Sequence, residues 1–512
     1  MTEANYREVS AQKAVSGDAF VQGLIDFNFS AMAPSVFIPR KSYLRVTMRV
    51  TGRDNAVLKT ADCTALADNV CGGLFNNCSF KVSGQDISTI NNYVAQASIL
   101  KSRFGHTYAW EKSIGRSATF IESDLAKRIG RLAVDTPDRV LSRPEILPLA
   151  SPNNAAATVE IKDNFSVVGV GTTFDTLLAG KEEIYLYVEG KEHQVKTVGS
   201  ATALTLVNPT PAVGATTDAY FVVKTPYDAD DKCTLDVLWQ PPLGIFSMYD
   251  VASPEGEVLQ GDFRLSLNPN SNFKYACLES TKKGLNSDTI KSGVGSECNL
   301  EILDVKFYMA YKKMYMEPTM TKQIPLSELM LLSKALYKNN TYEFAVPSST
   351  TALAVFVQSG TANNNVNLPP SRFKLLNNAQ NSLSGFQITY ANTSKPSTKW
   401  ISEYKNGVVE EGKTGTYGVN RLIQRYRDNL SECNLLHNTA GGESIEDYLD
   451  RGLYILYSFE KDKNDLSTQV QLSLEFAEDV EAQSNVFIAA VYDRMVEIVY
   501  QNGAVVNVRT LN

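Results

Sequence analysis

Residues 234–280 read TLDVLWQPPLGIFSMYDVASPEGEVLQGDFRLSLNPNSNFKYACLES, and the way this stretch divides decides the fold. Leu235, Val237 and Trp239 fall on one face of an alternating run, the pattern of a half-buried strand. Pro241-Pro242 stops it, because proline offers no N–H to a sheet ladder. Alternation resumes at Phe263-Arg264-Leu265-Ser266-Leu267 and ends on Asn268-Pro269-Asn270, a turn sequence. Taken alone, two prolines beside a Trp read as the lining of a groove. In the context of the whole chain they read as the place where one domain resumes after a long excursion. The prolines then block stray edge pairing, and Trp239 becomes a core or interface anchor.

The chain has 512 residues, more than one small core serves, so two domains with an extra module are expected. Hydrophobic residues make up 43% and charged residues 21%, which excludes wholesale disorder. The 24 Tyr and 22 Phe, with many Asn, Ser, Thr and Gly punctuations, tilt the class towards all-β. A net charge of -7, spread along the chain, argues against gripping nucleic acid by bulk electrostatics, and no sequence-specific nucleic-acid binding is expected. The seven cysteines contain no CxxC pair and read as reduced, mostly buried thiols. Cys63, Cys71 and Cys78 lack the paired spacing of a zinc site, and no metal or cofactor is expected. The N-terminus has no signal-peptide pattern, and no apolar run approaches the roughly eighteen residues of a membrane span. Without secretion, Asn-x-Ser/Thr triplets such as those at Asn28 and Asn77 are chance matches.

Upstream, residues 1–20 are polar and weakly patterned, and read as an arm ordered against a neighbour or mobile. Residues 43–50 alternate cleanly, with Leu44, Val46, Met48 and Val50 on one face. Residues 74–82 form a second strand ending at Ser83-Gly84. The tract 87–102 then places Ile90, Val94, Ala97, Ile99 and Leu100 at helical spacing. Residues 103–152 read as a long elaborated loop, a length that usually serves a function. Residues 155–226 change character, with short strands between turns at Gly169-Val170-Gly171, Gly180-Lys181, Glu189-Gly190 and 209–214. They read as a small inserted β-barrel or sandwich. Gly169-Val170-Gly171 is turn glycine and no dinucleotide fingerprint, since no third Gly and no helix follow.

Downstream, residues 300–311 make a long strand that closes the first domain near residue 316, and after Pro318 the pattern restarts. Residues 323–347 read as a short apolar segment and then a strand, 352–357 supplies a second strand, and the segment 373–390 echoes residues 74–86. A helical tract runs over 417–428, and alternating strands finish the chain over 452–506. Two similar successions of about eight strands are what a duplicated jelly roll looks like. The division expected is an arm at 1–20, a first jelly roll at 21–316 interrupted by 155–226, and a second at 317–512 that ends in a tail at 507–512.

The corner Trp239-Gln240-Pro241-Pro242-Leu243-Gly244, followed by a strand through Phe263, Leu265 and Leu267 to Asn268-Pro269-Asn270, resembles a segment of double jelly-roll major capsid proteins of double-stranded DNA viruses, in the polinton-like virus and virophage group. The early strand at 74–82 with Ile90 to Tyr93 behind it is similar to the start of the first jelly roll in that family. The resemblance covers most of residues 20–506 outside the insert. It implies two jelly rolls in tandem, a homotrimeric capsomer of pseudo-six-fold outline, and an icosahedral shell around the genome. It further implies penton or other minor capsid partners and, beneath the shell, room for an internal membrane. The insert becomes an outward tower between the fourth and fifth strands that could meet a host receptor.

Chemistry is thin. His106, His193 and His437 lie far apart, and Cys433 with His437 at i, i+4 is the sharpest enzymatic candidate, set against a structural Cys beside a hydrogen-bonded His. No HExxH, GxSxG or Walker motif occurs. Asp228, Asp230 and Asp231 lack the Gly and Glu of a calcium loop. Adjacent pairs such as Glu182-Glu183 and Glu410-Glu411 point to opposite faces of a strand. Arg421, Arg425 and Arg427 make the best basic cluster. The alternative function is a carbohydrate-binding adhesin or receptor-binding spike, which exposed aromatics in the insert or around Trp110 would support.

Overall fold

The computed structural model describes residues 4–52, 64–66, 70–105, 144–149, 157–162, 164–179, 184–189, 191–224, 233–246, 257–273, 277–280, 298–358, 383–401, 404–405, 408–409, 425–432, 454–459, 466–476, 479–480 and 484–511. Alternation becomes sheet where the sequence calls for it. In the first roll the main strands are β1 Asn5–Ser10, β2 Ile25–Ala31, β3 Tyr43–Gly52, β4 Phe75–Val82, β5 Gln85–Asn91, β6 Cys233–Trp239, β7 Gly261–Pro269 and β8 Cys298–Lys313, and the short strand Ser35–Phe37 also pairs with β8. They pair antiparallel in two sheets of order β1-β8-β3-β6 and β2-β7-β4-β5. That order is the Greek-key wrap of a jelly roll.

The second roll repeats it. Its strands are β9 Met320–Ala335, β10 Asn339–Ala345, β11 Thr350–Gln358, β12 Leu383–Tyr390, β13 Thr393–Ile401, β14 Tyr454–Ser458, β15 Gln469–Phe476 and β16 Asn485–Gln501. The sheets run β9-β16-β11-β14 and β10-β15-β12-β13. Adding eight to each number of the first roll gives the second. The architecture is therefore all-β, with two jelly rolls in tandem.

Inward alternation fills each roll. On β3, Leu44, Val46 and Met48 are buried, and the outward Arg45 and Arg49 pair with Asp236 (2.9 Å) and Glu301 (2.5 Å) on the neighbouring strands. Opposite charges across a ladder suit a polar outer face. Phe29, Phe37, Phe80, Phe263 and Phe307 from both sheets meet in the first core at tilted, edge and stacked geometries. In the second roll, β11 is buried on both faces over 352–358, and so is β16 over 486–491. Strands covered on two sides read as continuous apolar runs, as Ala352 to Val357 does. The second cover is the first roll's helix Val94–Gly105 and the residue before it. Tyr93 packs edge-on against Phe487 at 5.1 Å, its hydroxyl meets Ser333 Oγ at 2.9 Å, and Gln96 Nε2 donates to Gln358 Oε1 at 3.1 Å. One hydrophobic cluster runs through both rolls.

Four expectations change. Asn5–Ser10, read as part of an arm, is β1 and pairs with β8 from Asn5↔Tyr311 to Ser10↔Lys306. Its side chains are mostly exposed, so backbone pairing holds it and no apolar period marks it. The chain's end likewise folds back, with strand Ala504–Leu511 pairing to β16. Residues 87–91, read as helical, belong to β5. Asn92 and Tyr93 then take positive φ (64° and 58°), and the helix begins only at Val94. The insert lies between β5 and β6, and not between the fourth and fifth strands.

The insert forms an eight-stranded antiparallel sheet beginning with strand Pro144–Pro148, ahead of residue 155, and ending with strand Ala219–Lys224. It closes over its own core, with Val159, Ile161, Phe174, Leu186 and Phe221 buried together.

The Trp239 corner as candidate functional site

The described parts of the quoted stretch are 234–246, 257–273 and 277–280, and the first two meet at Phe75, which touches both Trp239 and Pro269. Trp239 is the last residue of β6 and 2% exposed. Its ring stacks on Phe75, centroids 5.5 Å apart and planes 18° apart, and its Nε1–H donates to Ser98 Oγ at 2.9 Å. A buried indole N–H needs such a partner. Gln240 turns outward and its Nε2 donates to the carbonyl oxygens of Arg40 (2.5 Å) and Ser42 (3.0 Å), which clamps the short 3₁₀ turn Pro39–Lys41. Pro241 and Pro242 are buried, and the Pro242 carbonyl accepts from Lys101 Nζ at 3.1 Å. Gly244 opens the 3₁₀ turn Gly244–Phe246 and gives its N–H to Glu328 Oε2 at 3.1 Å. Glu328 belongs to β9, so the corner is a joint between the two rolls.

The second half of the stretch is β7. Phe263, Leu265 and Leu267 point into the core. Asn268 pairs with Asn77, and a register shift lets Pro269 lie opposite Phe75. Asn270 ends the strand: its Nδ2 donates to the Gly73 carbonyl at 3.1 Å, and its Oδ1 accepts the Asn272 N–H at 3.0 Å, an Asx turn. Phe75 thus touches both halves, one through its ring and one through its backbone.

Sequence reasoning missed Ser98, Lys101, Ser88 and Glu328, which come to the corner from far along the chain. Nothing local marks them. Burial pushes the Lys101 ammonium down to about 8 against the pull of Glu328, and burial pushes the Glu328 carboxyl up. Both are consequences of packing between segments 84 and more residues apart.

The other candidates separate. His193 lies on the insert strand Lys191–Ser200, its Nδ1 3.3 Å from Thr210 Oγ1, and burial lowers its pKa. Cys71, Cys78 and Cys277 are free and buried, and burial drives their thiols up, away from the thiolate that a nucleophile requires. His106, Trp110, Asp228, Asp230, Asp231, Arg421, Cys433 and His437 lie outside the described residues. The basic cluster does not form one patch. Arg425, on the helix 425–432, is buried and donates to Tyr457 and Asn429 while stacking on the Tyr457 ring at 4.8 Å, whereas Arg427 is exposed. Aromatic contacts, an amide carbonyl and the Asp428 carboxylate at 3.2 Å hold that guanidinium, which phosphate would otherwise need. Among the described residues no group of three or more His, Cys, Asp and Glu could hold a metal ion, and no helix is long and apolar enough to cross a membrane.

No family model matches the chain, and no curated protein matches it in sequence. Among solved structures it is similar to that of the Sputnik virophage at 12% identity, covering 99% of this chain and 88% of that one with a TM-score of 0.49. It is also similar to the mavirus major capsid protein (10% identity, 99% and 90% covered, TM-score 0.42) and to the Faustovirus major capsid protein (8% identity, 98% and 91% covered, TM-score 0.46).

Proposed function

We propose that this chain is the major capsid protein of a double-stranded DNA virus, acting by assembly and not by catalysis. The observation that carries the reading is the repeated strand order, β1-β8-β3-β6 with β2-β7-β4-β5 and then the same order eight strands on, joined through one continuous core. Two rolls fixed side by side make a subunit with two near-equivalent halves. Three such subunits close a ring of pseudo-six-fold outline, which tiles an icosahedral shell. The first roll extends to about residue 316 and the second begins at 317, with the insert as a tower borne between β5 and β6.

The same reading supplies the partners: further copies of the chain, then a penton or other minor capsid proteins at the rim. The virion is the place of residence, after assembly in the host cytoplasm or nucleus. The genome is enclosed without its sequence being read, in keeping with the net charge of -7. An internal membrane under the shell and a receptor at the insert belong to the same family expectation. The sugar-binding alternative can draw on exposed Phe165 and Tyr220 in the insert, but the repeated strand order and the shared core give the capsid reading more support. Electron microscopy of the purified chain tests the proposal: capsomers or shells support it, and a population of isolated monomers at every concentration counts against it.

A further inference from the structure

The joint between the rolls holds a carboxyl group whose packing suits its protonated form. Glu328 is 1% exposed. Its Oε2 accepts the Gly244 N–H, while its Oε1 is buried without a hydrogen-bond partner. Ser88 Oγ on β5 is likewise buried without a partner, and its hydroxyl bears on the same carboxyl. The pocket is tight, since a Cβ added at Gly244 would meet Oε1 at 2.7 Å and the Ser327 carbonyl at 2.9 Å. The other groups that act on Glu328 are Lys101 of the helix and Tyr492 and Arg494 of β16. Lys101 gives its hydrogen bond to the Pro242 carbonyl and reaches Glu328 through charge.

An ionised carboxylate here keeps a full charge out of water with the Ser88 hydroxyl as the one neutral group beside Oε1, which is costly. A protonated one has an O–H to give, and the Ser88 hydroxyl beside it has lone pairs to accept it. We propose that Glu328 is a proton-operated latch between the two jelly rolls. With a proton on Oε1 donated to Ser88 Oγ, it ties β9 to β5 and to the Gly244 corner. When that proton leaves to solvent, Ser88 can only turn round to donate, the charge stays buried between the rolls, and the joint loosens. Burial, the largest influence on the group, raises its pKa despite the opposing pull of Lys101, Ser88, Gly244 and Arg494. A carboxyl raised in the folded state stabilises most below the ordinary glutamate value of 4.5 and loses that contribution as pH rises through the displaced one.

The latch goes beyond the capsid reading and does not depend on it. The test is thermal unfolding of the full chain and of Glu328→Gln at a series of pH values from about 4.5 to 8. Glutamine keeps the shape of the protonated acid and a donor for Ser88. Glu328→Gln is expected to match the parent at the acid end and to exceed it at the upper end, by on the order of 2 °C. Asp493, also raised by burial, contributes equally to both curves and drops out of the difference. Parallel curves overturn the proposal. If Glu328→Gln does not fold, infrared pH-difference spectra of the parent chain and Ser88→Ala decide. A buried carboxylic-acid band that persists above the ordinary glutamate range and shifts in Ser88→Ala is expected, and a band that does not respond to Ser88→Ala overturns it.

Discussion

Phe75 and Trp239 stack with centroids 5.5 Å apart and 18° between their planes, and Phe75 pairs through its backbone with Pro269. The contact closes a loop in the sequence, because the corner after β6 and the end of β7 are both pinned to the first residue of β4. Trp239→Ala should remove the stack and leave a cavity, costing about 3–5 kcal/mol. Trp239→Phe keeps most of the stack but loses the bond to Ser98, costing about 1 kcal/mol for that bond. Denaturant unfolding of the two variants with Ser98→Ala checks this. Trp239→Phe and Ser98→Ala should be non-additive, since both delete the same hydrogen bond.

Gly244 sits where no side chain fits. Gly244→Ala drives a methyl group into the Glu328 carboxyl and the Ser327 carbonyl. The expected cost is about 1–3 kcal/mol, the range of overpacking, taken at the joint and not inside either roll. Limited proteolysis should show faster cleavage near residues 314–319 in the variant. An unchanged cleavage pattern together with unchanged stability would show that the corner does not couple the rolls.

Asp26 gives the chain an acid limit. Burial raises its pKa, but Arg264, bonded at 2.7 and 3.0 Å, and Ser266 at 2.6 Å outweigh this and hold it below the ordinary aspartate value. A carboxylate lowered in the folded state stabilises above the ordinary value of 3.8 and loses that contribution as pH falls through the lowered one. Asp26→Asn should therefore be less stable than the parent at neutral pH and lose less on acidification. Tm measured from pH 6 down to about 3 checks the crossing.

Removing residues 1–18 deletes a strand as well as a polar end. Without β1 the edge of β8 over 306–311 is bare, an invitation to stray pairing. Lys13 is lost with it, and its ammonium now gathers the carbonyls of Gln22 (2.6 Å) and Gly23 (2.5 Å). The truncated chain should melt earlier and aggregate, instead of yielding sound capsomers that fail only to form shells. Lys13→Met alone should show part of the loss in Tm.

The insert should fold alone. Among the described residues its buried set is separate from the cluster shared by the two rolls, and its sheet draws no strand from either. Residues 144–224 expressed by themselves should give a cooperative melt and a β-type circular dichroism spectrum. Failure to do so would mean that the rolls are needed to hold the sheet.

Much of the fold was legible because burial on one face writes alternation into a strand. Leu44, Val46 and Met48 declared β3, and Phe263, Leu265 and Leu267 declared β7. The duplication was legible for the same reason. What escaped was structure held by pairing and not by burial. β1 carries NYREVS with little apolar content, and β5 shares Ile87 and Ile90 with a spacing that also suits the helix after it. At the corner, Trp239 and the prolines stand out by residue type. Ser88, Ser98, Lys101 and Glu328 gain meaning only when the second roll is laid against the first, and a buried carboxyl on an alternating strand looks like any outward one.

The central claim concerns assembly, and the mass of the purified full chain in solution tests it most directly. Light scattering across a concentration series is expected to give about three times the 56.4 kDa of one chain, with closed shells appearing as concentration rises. A single 56.4 kDa species at every concentration, with no particle by electron microscopy, would contradict it.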